Sequence, residues 1–150
     1  MATTARNEDT LDQMVCFALY SASRAATQAY RTLLEPFGLT YPQYLVLVLL
    51  WTHGGKSVRA IGDALDLDSG TLSPMLRRMQ EAGLVTKSRQ TTDERVVLVE
   101  TTERGESLRA DLAHVPACIA SGTGLTKETA LALIDTLHTV AAGFRATVPA

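Results

Sequence analysis

The chain has 150 residues, 46% of them hydrophobic and 20% charged, with a formal net charge of −2 at pH 7. That is about one domain with enough apolar material to bury a core, so a disordered chain is excluded. The near-neutral balance means that any nucleic-acid surface must be a local basic patch.

Residues 1–10 are polar and carry no apolar stretch of signal-peptide length. The longest apolar run, Tyr44 to Trp51, is too short to cross a bilayer. A soluble, cytoplasmic protein without a membrane partner is expected. Six helical segments and one hairpin follow along the chain. The first helix is predicted from about Glu8 to Glu35, with Leu11, Val15, Ala18, Ala22, Ala25, Ala29 and Leu33 at helical spacing and Pro36 and Gly38 ending it. The second starts at Tyr41-Pro42 and stops at Gly54-Gly55. Its apolar residues cover all faces, so it should be the central helix.

Ser57 can cap a short helix, Val58 to Leu65, followed by the turn Asp66-Leu67-Asp68 and a helix from Ser69 to Ala82 that Gly83 stops. Pro74 lies close to that helix's first turn, so its start is expected to be bent or displaced. Leu84–Gln90 and Val96–Glu100 read as two strands joined by the polar tip Thr91 to Arg95. Thr102 can cap a fifth helix, Glu103 to about Ala113, which Pro116 interrupts. Ser121-Gly122-Thr123-Gly124 reads as a loop, and Thr126 and Glu128 open a final helix carrying Leu131, Ile134, Leu137, Val140 and Phe144. A tight helix pair followed at once by a two-stranded ribbon is the order of a winged helix-turn-helix. The fold class is therefore mainly α with a small β-hairpin.

On the Ser69–Ala82 helix, Leu72, Met75, Leu76 and Met79 share an inward face. Gly70, Thr71, Ser73, Pro74, Arg77 and Arg78 form the opposite arc. Small polar residues at a helix start, with arginines a turn or two later, suit the major groove. Between Ser69 and Arg95 the basic residues Arg77, Arg78, Lys87, Arg89 and Arg95 outnumber the acidic Glu81, Asp93 and Glu94. Arg95 at the hairpin tip could enter the narrow, electronegative minor groove, with Asp93 holding its side chain or the wing backbone. A solvated helix and an ordinary polar turn would carry the same residues.

The runs Leu67 to Met79, Glu81 to Val85 and Asp93-Glu94-Arg95 together resemble the DNA-binding core of the MarR family. Leu67-Asp68-Ser69-Gly70-Thr71-Leu72 is similar to its OhrR branch, the organic-hydroperoxide sensors. The resemblance implies that Asp68, Ser69, Thr71 and Arg78 lie at the major groove and Arg95 in the minor groove of double-stranded operator DNA. Asp68 cannot attract phosphate, so it would accept from a base amino group or orient a neighbour.

The segments Cys16 to Arg24 and Leu39 to Leu45 resemble the same branch near its peroxide-reactive cysteine. Helix geometry adds an independent reason to single out this thiol. At 100° per residue, Cys16, Tyr20, Ser23, Thr27 and Tyr30 fall within roughly 40° of one line, with Cys16 and Tyr30 about 21 Å apart along the axis. They cannot touch within one chain, but two copies crossing antiparallel near Ser23 would bring each Cys16 to the partner's Tyr30. The resemblance implies the same arrangement, with Tyr30 and Tyr41 of the other subunit donating to the Cys16 thiolate. Hydrogen bonds to a thiolate favour the form that attacks peroxide. Asp12, one helical turn before Cys16, would oppose it.

Cys118, in Pro116-Ala117-Cys118, resembles the second cysteine of the two-cysteine members. A sulfenic acid at Cys16 could condense with it, and the placement of the two cysteines in the regions expected to build the dimer favours a bond between subunits over one within a chain. Capping of Cys16 by a small thiol, and burial of either cysteine as an inert core residue, remain alternatives. Pro116 between His114 and Cys118 and the lack of further ligands argue against a metal, and no cofactor is expected.

The reading is a homodimeric, non-enzymatic repressor of an organic-peroxide resistance gene, released from its operator when organic hydroperoxide oxidises Cys16. Residues 1–150 form one MarR-like chain, with dimerisation helices in residues 8–37 and 102–150 and the DNA-binding part in residues 41–100. A MarR-type repressor responding to a small phenolic ligand is the first alternative and a thiol peroxidase the remote one.

Overall fold

Alanine-rich sequence with few helix breakers sets the first long helix, α1, Val15–Leu34. A computed structural model describes residues 10–149, in two compact units that divide between Ala113 and His114. The helix begins later than the periodicity suggests, and Glu8 lies outside the described residues. Thr10–Gln13 forms a separate 3-10 turn, and Met14 is extended (φ −92°, ψ 115°) with no side-chain cap to continue it. Asp12 is therefore not on the helix that carries Cys16. At the other end α1 tightens into a 3-10 turn, Glu35–Phe37, and Gly38 closes it at φ 67°.

Thr40 and Gln43 form a reciprocal capping box that starts α2, Tyr41–His53. This is the central helix of the first unit: it packs against α1, β3 (Val97–Thr101), and helices α3 (Val58–Leu65), α4 (Ser69–Glu81) and α5 (Glu103–Asp111). Val46 and Leu47 are fully buried along it, and Leu34, Ile61, Leu72, Leu76, Met79 and Val99 close around them. No polar or charged residue is buried among the described residues.

The ribbon has three strands rather than two. β2, Val85–Arg89, pairs antiparallel with β3 in the register Val85↔Thr101 to Arg89↔Val97, and the two-residue β1, Lys56–Ser57, pairs with the far edge of β3. Val85 and Val99 point inward while Thr86 and Glu100 face out, the alternation of a half-buried sheet. The third strand anchors the wing to the helix pair, since Ser57 both ends β1 and caps α3 through the Ala60 amide.

The second unit carries a helix that the sequence reading folded into its neighbours. α6, Val115–Thr123, has Pro116 in its first turn, and Ser121 to Thr123 complete it instead of forming a loop. Gly124, at φ 66°, ends it. Thr126 then caps α7, Lys127–Thr147, through the Thr129 amide. Among the described residues no single helix is long and apolar enough to cross a membrane.

Candidate nucleic-acid interface and thiol site

The recognition helix is set by its cap. Asp68 is extended, and its carboxylate oxygen Oδ1 accepts from the Thr71 amide at 2.8 Å. One of the orphan donors of the first turn is thereby satisfied, a role the sequence reading did not give Asp68. The helix start is accordingly not displaced by Pro74, which sits six positions in and is accommodated within a continuous α4. Upstream, Asp66 adopts the left-handed conformation (φ 55°), and Gly62 lets the turn fold back closely. A Cβ there would lie 2.9 Å from the Leu67 carbonyl oxygen. With Leu72, Met75, Leu76 and Met79 buried, Ser69, Thr71, Ser73, Arg77 and Arg78 are all exposed on the outer face.

The wing tip is ordered by its own polar groups. Asp93 Oδ1 accepts from the Arg95 amide at 3.0 Å, and the Asp93 carbonyl accepts from the Val96 amide at 3.0 Å. Arg89 spans the tip, its Nη1 donating to the Glu94 carbonyl at 3.0 Å, so this arginine braces the turn. Arg95 Nε lies 3.6 Å from Asp93, but its side chain is 95% exposed, and such a solvated ion pair contributes little energy. The backbone bonds fix the tip and leave the guanidinium projecting.

Between α3, the start of α4 and the wing lies an open concavity of about 800 Å³, lined by Arg59, Asp63, Asp68, Ser69, Asp93 and Arg95 among others. Arg59 was missed by sequence reasoning. Its position in the first turn of the helix before the recognition helix was the available signal.

The second cluster is aromatic. Tyr30 of α1 and Tyr41 of α2 stack with ring centroids 4.1 Å apart and planes inclined by 24°. Burial, then the neighbouring Tyr41 and Tyr44 and a hydrogen bond with Tyr41, push the Tyr30 phenol up to about 12. It is therefore fully protonated at neutral pH. Burial and Tyr41 likewise raise Tyr44. Cys16 is exposed on the same continuous helix as Tyr30, fourteen residues earlier and about 21 Å away along the axis. Cys118 is exposed on α6. Neither thiol belongs to the core of the single chain. Tyr20 is exposed and engages its helical neighbour Arg24, whose Nη1 donates to its hydroxyl at 3.3 Å.

Residues 28–112 match the family described as transcriptional regulator SarA/Rot, whose members are MarR-like winged-helix proteins. The chain is 44% identical over 135 residues to the organic hydroperoxide resistance transcriptional regulator of Bacillus subtilis (strain 168), covering 85% of this chain and 92% of that one. This chain belongs to the SarA/Rot family of MarR-like regulators. It is also 44% identical to the HTH-type transcriptional regulator TtmR of Methylorubrum extorquens (strain PA1), over 91% of this chain and 71% of that one. The structure of reduced AbfR bound to DNA, a regulator of Staphylococcus epidermidis, superposes with a TM-score of 0.76 at 32% identity, covering 91% and 96% of the two chains. The chain is thus a transcriptional regulator with a winged helix-turn-helix, and its work is regulation, not catalysis. Within this regulator, the capped α4, the braced wing and the concavity between them lie together in the first unit.

Proposed function

We propose that the regulator is a homodimeric repressor of an organic-peroxide resistance gene, inactivated when organic hydroperoxide oxidises Cys16. The observation that carries the reading is the stacked pair of Tyr30 and Tyr41 on a chain whose Cys16 is exposed on α1. One subunit offers both phenols side by side, and a second subunit can bring its Cys16 to them, whereas α1 separates Cys16 from its own Tyr30. The Bacillus relative named for organic hydroperoxide resistance supports the choice of inducer.

The apolar residues of residues 11–20 and 125–148 support dimerisation through the first and last helices. Leu11, Val15, Phe17, Leu131, Ile134, Leu137 and Phe144 are all exposed in the single chain. On DNA, Ser69, Thr71, Arg77 and Arg78 approach the major groove while Arg95 enters the minor groove, with Asp93 supporting the wing. Asp68 serves this surface by capping α4, and accepts from a base only with its remaining lone pairs. The dimerisation helices (8–37 and 102–150) then flank the DNA-reading part (41–100).

The chemical step is a displacement on oxygen. The Cys16 thiolate attacks the terminal oxygen of ROOH, the O–O bond breaks, and the alkoxide leaves and is protonated to ROH, giving Cys16 sulfenic acid. Attack by the Cys118 thiol of the other subunit then forms a disulfide and releases water. The sulfur atoms must come to about 2 Å, so helices that begin well apart must shift to form the bond, and that shift would cost the two recognition helices their half-site spacing of about one DNA turn. A structure of disulfide-formed AbfR exists among the neighbours, at 33% identity.

The test is release of a DNA duplex that the reduced protein has selected from a random pool. Cumene hydroperoxide should release it from wild type and not from Cys16→Ser. Peroxide-driven release by Cys16→Ser would refute the sensor. The disulfide is tested separately: oxidised wild type should run as a covalent dimer on a non-reducing gel, Cys118→Ser should not, and a wholly monomeric oxidised band would overturn the intersubunit bond.

A further inference from the structure

The tyrosine pair is one end of a longer series of contacts. Tyr30 lies 5.9 Å from Tyr44, and Tyr44 meets Trp51 edge-on at 6.4 Å between centroids. The Trp51 indole N–H donates to the carbonyl of Gly105 on α5 at 3.1 Å. Gly105 in turn rests directly on the root of the wing. A Cβ at this position would overlap the Leu84 carbonyl oxygen, so the α5 backbone and the Leu84 peptide touch with no side chain between them. Thr102 fastens the same joint from both its groups. Its hydroxyl donates to the Gly83 carbonyl at 2.6 Å and its amide to the Leu84 carbonyl at 3.1 Å.

Gly83 and Leu84 connect the recognition helix to the first wing strand, and the Leu84 amide is itself bonded to the Met79 carbonyl in the last turn of α4. An unbroken path therefore runs from the Tyr30–Tyr41 pair to the point where both DNA-reading elements meet. Every step lies within the first unit.

We infer that Trp51 is a positioning residue that couples the Tyr30–Tyr41 pair to the recognition helix and wing through its indole N–H on Gly105. The inference rests on Cys16 being the sensor. Two features make the path stiff. Aromatic rings in edge and stacked contact cannot adjust by rotamer the way a methionine does. At the far end, a glycine backbone pressed on a carbonyl has no flexible atoms to absorb a shift. When oxidation takes the thiolate away from the tyrosines, a change in their packing is passed along α2 to α5 and so to Gly83 and Leu84. Loss of the indole donor would uncouple the two ends while leaving each intact.

Position along a path is not coupling, so the experiment measures the coupling itself. Operator affinity is read for full-length wild type, Cys16→Ser and Trp51→Phe before and after cumene hydroperoxide, with sulfenic acid formation followed by dimedone trapping. Reduced Trp51→Phe should bind the selected duplex as wild type does and oxidise at the wild-type rate. Its oxidation-driven loss of affinity should fall short of the wild-type loss by about tenfold or more. An undiminished loss in Trp51→Phe overturns the inference.

Trp51 is the sole tryptophan of the chain, so wild type reports on the joint without a substitution. Its emission should shift on oxidation and stay fixed in Cys16→Ser under the same treatment. Emission that stays fixed while wild type releases DNA overturns the coupling even if Trp51→Phe does not fold. If wild type keeps its DNA after peroxide, the sensor assignment fails and the coupling with it. Release by wild type and Trp51→Phe alike removes the coupling only.

Discussion

The middle of the chain and its two ends solve opposite problems. Among the described residues, every buried apolar residue of the core lies from Leu34 to Val115, whereas the large apolar residues left exposed lie only in residues 11–20 and 125–148. The middle satisfies itself around α2. α1 buries only Leu34 and α7 buries nothing, although both are long helices with regular apolar spacing. A helix of twenty or so residues gains most of its stability in a protein from an apolar face packed against something. The difference teaches that the winged-helix part buries its apolar residues within one chain, while the terminal helices leave theirs exposed.

Two substitutions would break that comparison most directly. Ile134→Lys on α7 places an ammonium where a second subunit should pack, and an unpaired buried charge costs about 3–5 kcal/mol. Sedimentation should show monomers with the helical circular-dichroism signal largely kept, and operator binding should fall at least a hundredfold, by about 2.7 kcal/mol. A stable dimer would remove α7 from the interface. Leu47→Ala, in the fully buried centre of α2, should instead lower unfolding stability by about 2–5 kcal/mol through the cavity it leaves. Denaturant titration distinguishes the two, because only the second should persist when the protein concentration is varied.

Within the middle, the exposed arginines sharpen the contrast between packing and reading. Arg78→Ala and Arg95→Ala touch no core residue and should leave the melting temperature unchanged. Each should weaken operator binding by about 1–3 kcal/mol if it reads a base. A phosphate contact would show itself by an equal loss on every sequence and a shallower salt dependence. Wild-type affinity for both variants, measured by fluorescence anisotropy, would remove the proposed reading surface.

Asp68 separates the two roles at one residue. Asp68→Ala removes the acceptor for the Thr71 amide and should cost about 0.5–2 kcal/mol of stability, while Asp68→Asn keeps a cap and should cost little. If Asp68→Asn nevertheless binds operator more weakly than wild type, the carboxylate meets DNA as well as the helix. Equal affinity would confine it to capping.

What could be read from the residues follows the range of the forces involved. The helix pair Val58–Leu65 and Ser69–Glu81 and the hairpin's two strands are legible, because caps, a glycine stop and alternation are local signals. β1 was not: Lys56 and Ser57 are a strand only because β3 lies beside them. α6 is hidden in the sequence because Pro116 after a helical segment reads as an interruption, although proline in a first turn equally marks a start. The break at Met14 has no capping residue to announce it. At the thiol site, the spacing along α1 identified the line from Cys16 to Tyr30, but the stacking of Tyr41 on Tyr30 joins two helices and has no signature in spacing. The Trp51 bond to Gly105, fifty-four residues apart, is equally invisible to any local rule.

The smallest effect concerns Tyr30, whose ring packs with the middle while its helix reaches into the terminal region. Its phenol is raised from 10.0 to about 12, chiefly by burial and then by Tyr41 and Tyr44. In the unfolded chain the same phenol ionises near 10, so between those values the unfolded state has lost a proton that the folded state keeps. Folding stability from this group is intact below pH 10 and declines as pH rises through about 12. Nothing changes at neutral pH, where Tyr30 carries the proton that a thiolate would accept. An alkaline titration followed by phenolate absorbance should show a late step near 12 in wild type that Tyr30→Phe lacks, and the variant should lose less stability across that window. If a late step survives in Tyr30→Phe, Tyr30 is not its source, and Tyr44, whose phenol burial also raises, becomes the candidate. The proton held ready beside Tyr41 would then lie deeper in the middle of the chain, out of reach of a partner's cysteine.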